Sequence, residues 1–259
     1  MIQFNLNRFA KLARWSLTND KKYHVKSFLQ TFVILLLVFL FFSVVQINVN
    51  NRHGFYLACT ISVIVSFAVT VILGSSFMFY SMEGKHDMQS LLMLPASNFE
   101  KYLMRYSSWL ILLPLHLVAF FAADLLQYMI YWLIGREEVM FVTVAMVEMI
   151  SDTWHKMPVE LHAPLVVSMI FAIVWLHSFY ALGATFFRSN KYNWVATSAV
   201  LILGFVILTT TFGWGAVNCT WWNNHTLWNR MLLVLTIVNF WLSYRFFCRN
   251  QVIGKFVNL

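Results

Sequence analysis

Glu148, Asp152 and His155 recur at i, i+4 and i+7, a spacing that sets two carboxylates and an imidazole on one helical face. Such a trio has the donor types for a zinc site or for divided acid and base roles in hydrolysis. The spacing is not that of a zinc-peptidase motif, and a solvated acidic face accounts for it more simply. Asp124 lies inside a long apolar run, where an aspartate costs about 2.5 to 3.5 kcal/mol to insert. It either faces a substrate path, as a proton-coupled carrier would use it, or pairs with a neighbouring Tyr, Trp or Ser to fix packing. His116 and His177 fall at similar depth on what would be antiparallel helices and are the other substrate-path candidates. With no third ligand they read as packed or hydrogen-bonded residues, so no metal site is expected. No catalytic residue is expected either. The chain has no Gly-x-x-x-x-Gly-Lys-Ser/Thr loop, Glu83-Gly84-Lys85 lacking the second glycine and the hydroxyl that cradle phosphate and magnesium. It also lacks a Gly-x-Ser-x-Gly elbow.

The elements that must hold these residues are set by composition. Of 259 residues 60% are hydrophobic and only 11% charged, against roughly 25% charged in soluble domains. The apolar residues come in blocks of about 20, the length that crosses a ~30 Å hydrocarbon slab at 1.5 Å per residue. The expected fold class is therefore all-α, a polytopic transmembrane helical bundle with six spans at 28–47, 55–80, 109–134, 164–187, 194–212 and 228–247. Continuous apolar runs without in/out alternation exclude membrane strands. Span three inserts despite Asp124, because its 14 Leu, Ile, Val and Phe residues together contribute roughly −4 to −8 kcal/mol. The first span reads as a retained anchor, since it is preceded by a charged segment and followed by no small-x-small site. Pro114 predicts a kink in span three, and Gly183 with Ser178 predicts a close helix approach on span four.

The net charge of +8 then sorts by side. Fourteen of the 18 basic residues lie before span one, between spans two and three, between spans four and five, or after span six. The positive-inside rule accordingly places both termini in the cytoplasm. The charge reads as topology and attraction to the lipid bilayer, not as a nucleic-acid footprint. The expectation is a single transmembrane domain, 1–259, with a cytoplasmic amphipathic segment at 1–27, a cytoplasmic coupling segment at 81–108 and an external loop at 135–163. That loop is net −3. Its apolar stretch 139–150 is too short to span and is expected in the interface or re-entering. Cys59 and Cys219 both fall near the external face, but three cysteines without a spacing pattern imply neither a disulfide framework nor a metal site.

Two cytoplasmic segments are distinctive. Arg8, Lys11 and Arg14 recur every three residues while Phe9, Leu12, Ala13 and Ser16 fill another face, which predicts a basic amphipathic elbow helix before span one. Between spans two and three, Met88, Leu91 and Leu92 stand at i, i+3, i+4, Pro95 disfavours helix at Leu94, and Ser97 with Glu100 has capping-box spacing. Helix, break, helix is the predicted result, a suitable lever for a cytoplasmic motor.

That segment resembles the membrane subunits of exporter-type ATP-binding-cassette transporters, the type-2 permease family. Members follow span two with an acidic residue, a Gly-Thr pair, a Leu-rich stretch and Leu-Pro-x-Ser. Here stand Glu83, then Leu91-Leu92-Met93-Leu94-Pro95-Ala96-Ser97, then Glu100-Lys101, with His86 and Asp87 in place of the Gly-Thr pair. The resemblance implies a permease subunit of an exporter in which this stretch docks on a separate ATPase subunit. Glu83, Met88, Leu91, Leu92, Leu94, Pro95, Ser97 and Glu100 are the expected contact residues. ATP and Mg would be bound by that partner and no cofactor by this chain, two permease halves would assemble, and a bacterial cytoplasmic (inner) membrane would be the location. The rival from a different class is an intramembrane enzyme or non-transporting membrane scaffold using Asp124, His116 and His177.

Overall fold

The structure, a computed structural model, describes residues 4–49, 52–79, 90–91, 93–135, 139–187, 192–217 and 225–249, with side chains undescribed at 43–49, 52–53 and 212–217. Its regular elements are helical: α1 (Leu6–Asn19), α2 (Lys21–Val49), α3 (Arg52–Leu73) continued by a 3-10 segment (Gly74–Phe79), α4 (Asn98–Leu110), α5 (Leu112–Leu133), α6 (Val142–Lys156), α7 (Val159–Phe186), α8 (Asn193–Val217) and α9 (His225–Cys248). Six stretches among the described residues are long and apolar enough to cross a membrane: Lys21–Phe42, Gly54–Phe79, Asn98–Leu133, Val159–Phe186, Asn193–Thr211 and His225–Cys248. Their mean hydropathies run from 1.6 to 2.4, as integral membrane helices require.

Several ends differ from the sequence reading, each for a local reason. The stretch containing span three is broken at Ile111, three residues before Pro114. Pro114 is the third residue of α5, where a missing N–H leaves no intrahelical bond unmade. At 13 residues and carrying Glu100, Lys101 and Arg105, α4 is thus separate from α5, whose 22 residues match the hydrocarbon thickness. α5 ends at Gly135, whose φ of +71° is the left-handed cap that a residue with a side chain rarely adopts. Pro158 holds Met157 extended (φ −83°, ψ 140°) and so stops α6. Span four, expected to open at Pro164, belongs to a helix that begins at Val159 and contains that proline.

The described residues form two compact units. The first gathers those of 1–19, 71–109 and 163–259; the second those of 20–70 and 110–162. In the first, Leu12, Met78, Leu91, Tyr102, Ala181 and Phe247 build the core, with Phe79 stacked on Phe247 at 5.9 Å. Gly183 permits α7 and α8 to touch, because a Cβ there would land on the Thr197 side chain. In the second unit α2 packs along α5, burying Leu35, Phe39, Phe120 and Ala123 together with Phe55, Cys59 and Val63 of α3. Cys59 is a buried free thiol; Cys219 lies outside the described residues.

Candidate functional site

The stretch carrying the Leu-Pro-x-Ser block is built as sequence spacing predicts where it is described. Ser90, Leu91 and Met93 are helical, and the chain bends over Leu94, Pro95 and Ala96. Ser97 and Glu100 close a reciprocal capping box: the Glu100 N–H donates to Ser97 Oγ at 3.2 Å and the Ser97 N–H to Glu100 Oε2 at 2.8 Å.

Glu100 does more than cap. Its carboxylate also accepts the Asn5 N–H at 2.7 Å and both arms of the Arg8 guanidinium, Nε at 2.9 Å and Nη2 at 2.7 Å. This two-pronged pairing fixes the start of α1 to the start of α4. The hydrogen-bonded Arg8 side chain holds the Glu100 carboxyl well below its usual range, at about 2, helped by the Asn5 and Ser97 amides. Arg105, fully buried, ties the same elements from below, with Nε donating to the Met78 carbonyl at 3.2 Å and Nη1 to Ser16 Oγ at 3.3 Å. Phe4 closes the top against Phe99, ring centroids 5.9 Å apart.

The expected contact residues therefore separate by environment. Leu91 is a core residue and Glu100 is fully covered; Leu94 and Ser97 are half-buried and Pro95 is exposed. Glu83, Met88 and Leu92 lie outside the described residues. Met93, immediately before the bend, is 84% exposed. Sequence reasoning passes over it because helical spacing groups it with Leu91, which is buried. The Arg8–Glu100 pair is equally invisible in sequence, the partners being 92 residues apart.

Asp124, His116 and His177 are each hydrogen-bonded within their own unit. Asp124, 2% exposed, accepts the Val142 N–H at 2.7 Å, the Thr143 N–H at 3.0 Å and the Thr143 hydroxyl at 2.6 Å. It caps α6 from α5, a longer reach than the neighbouring Tyr, Trp or Ser expected from sequence. His116, in the second unit, lies between Thr70 Oγ1 at 3.1 Å from Nδ1 and Ser66 Oγ at 3.3 Å from Nε2. Thr70 donates its own proton to the Ser66 carbonyl, so it accepts from Nδ1. His177, in the first unit, directs Nδ1 to the Val71 carbonyl at 2.6 Å and Nε2 to the Tyr106 hydroxyl at 2.9 Å. A carbonyl only accepts, so Nδ1 carries the proton and Nε2 of the neutral ring accepts from Tyr106. Among the described residues no three His, Cys, Asp or Glu side chains are grouped as a metal would need. On α6, His155 turns Nδ1 back to the Ser151 carbonyl at 2.7 Å, while Glu148 and Asp152 line a cleft.

Compared with family models, with curated proteins and with solved structures, the chain matches none.

Proposed function

We propose that this chain is the permease subunit of an ATP-binding-cassette exporter, forming the transmembrane pathway and driven by a separate ATPase subunit that docks on the bend before α4. The reading rests on the Leu-Pro-x-Ser block. The single observation that best supports it is the stiffness of the joint behind that block: the capping box and the Arg8–Glu100 fork join the bend, α4 and α1 into one rigid piece that leaves Met93 and Pro95 outward. A lever must transmit force without bending, and a covered carboxylate accepting four hydrogen bonds is a stiff joint. In this reading both termini and the bend face the cytoplasm of a bacterial inner membrane, α1 is an elbow at its surface, two halves assemble, and ATP and Mg stay with the partner. Closure of the ATPase pair pulls the bend and reorients the spans.

The test is purification of the tagged chain from its native membranes in mild detergent, wild type beside Met93→Asp, with mass spectrometry of co-purifying proteins. Met93 is 84% exposed, so its substitution is expected to leave membrane levels unchanged. An ATP-binding-cassette ATPase present with wild type and lost from Met93→Asp is the expected result; a stable wild-type protein that brings down no such ATPase overturns the reading.

A further inference from the structure

The second unit contains an open cleft of about 620 Å³ between the N-terminal end of α3 and the face of α6. Tyr56 and Thr60 form one wall; Met149 lies among Glu148, Asp152 and Lys156 on the other. The volume is that of ligand pockets, which run roughly from 300 to 1,000 Å³.

Two independent features give this largely apolar cleft a polar side. Thr60 is 0% exposed, and its Oγ1 has no hydrogen-bond partner among the described residues. Hydroxyls on apolar helices normally return to the carbonyl one turn back, as Ser62 does to Ala58 at 2.8 Å and Thr70 to Ser66 at 2.9 Å on this same helix. Thr60 does not, and a buried hydroxyl left unbonded costs about 1 to 3 kcal/mol. Separately, Glu148, Asp152 and Lys156 follow one another at i, i+4, i+8 along the wall. Each step is about one turn, 5.4 Å.

The charge order selects the ligand. A metal cation would be repelled by Lys156, and a simple anion by the two carboxylates. An ammonium and a phosphate on a two-carbon tether cover one helical turn, the ammonium donating to Glu148 and Asp152 while Lys156 holds the phosphate. Tyr56 and Met149 offer the apolar surface along which an acyl chain would run, and the unpartnered Thr60 Oγ1, covered in the empty cleft, would donate to an ester oxygen that displaced what covers it. We propose that the cleft binds the head group of an aminophospholipid, a site separate from the docking bend and independent of the function proposed above.

The test titrates the full chain in maltoside micelles with short-chain phosphatidylethanolamine, short-chain phosphatidylglycerol and free phosphoethanolamine, reading occupancy by native mass spectrometry. Wild type is expected to bind the phosphatidylethanolamine saturably and in preference to both others. Glu148→Gln with Asp152→Asn, and Lys156→Met, alter exposed side chains and are expected to weaken binding by roughly tenfold or more with the elution profile unchanged, the loss of a charge-assisted bond. Thr60→Val is expected to weaken binding without loss of fold. Equal binding of phosphatidylglycerol, or variants that bind as wild type does, would overturn the site; equal binding of free phosphoethanolamine would overturn its assignment to a lipid.

Discussion

Asp124 on α5 caps α6 at Thr143, taking both its backbone N–H and its hydroxyl, at 3.0 and 2.6 Å, through a single carboxylate oxygen. The other oxygen takes the Val142 N–H. The first N–H groups of a helix have no partner within it, and a negative charge there is favoured by the helix dipole. The insertion cost of this aspartate is thus offset by satisfying two orphan amides that Phe141, the residue at the cap position, cannot serve.

Asp124→Ala should therefore loosen α6. Each buried donor left without an acceptor costs about 1 to 3 kcal/mol. Amide exchange at Val142 and Thr143 should accelerate, with protection in α2 little changed; protection at Val142 equal to wild type would contradict the capping role.

The joint between α1 and α4 should respond to acid. Because its fold holds the Glu100 carboxyl at about 2, below an ordinary 4.5, the joint is at full strength above the ordinary value and is lost as pH falls toward 2. A spin label at the exposed position Leu17 should keep its mobility unchanged from pH 8 to about 5 and gain mobility progressively as pH falls toward 2. In Glu100→Gln the label should be mobile throughout. A wild-type profile that turned near neutrality would point to a different group.

Gly183→Ala should destabilise the α7–α8 contact by about 1 to 3 kcal/mol, the usual range for overpacking. The new methyl would meet Oγ1, Cγ2 and Cβ of Thr197. Adding Thr197→Ala removes two of those three atoms, so the double variant should recover part of the loss in a thermal-unfolding assay; strict additivity would show that the two residues do not meet.

The polar seam between α7 and α9 should matter less. Asn239 Nδ2 donates to Ser178 Oγ at 3.0 Å and Ser243 Oγ to the Ala181 carbonyl at 3.1 Å. Interhelical hydrogen bonds in membranes average about 0.6 kcal/mol, so Ser178→Ala, which removes the one bond to Asn239, should shift thermal stability less than Gly183→Ala. The same assay ranks the two.

What sequence makes legible is set by the range of the forces. The capping box needs only Ser97 and Glu100 three residues apart, and it forms. Pro114 predicts a kink, and the helix breaks at Ile111, in the turn before it, where the proline can bond no carbonyl and its ring crowds the one four residues back. Leu91 and Met93 differ by two positions and look alike in sequence, but one is core and the other faces outward. Asp124 has two readings in sequence, and nothing within a few residues of it names Thr143.

Sequence by itself determined the helical class and the six membrane-length helices, since apolar length and charge density act through solvent and are summed along the chain. Tertiary structure alone decided that Arg8 meets Glu100, that Asp124 caps α6, and that Thr60 comes to line one cleft with Glu148 and Asp152. Those partners lie 18 to 92 residues apart. Hydrogen bonds and ion pairs act over a few ångströms, so their choice of partner waits until packing has brought distant segments together.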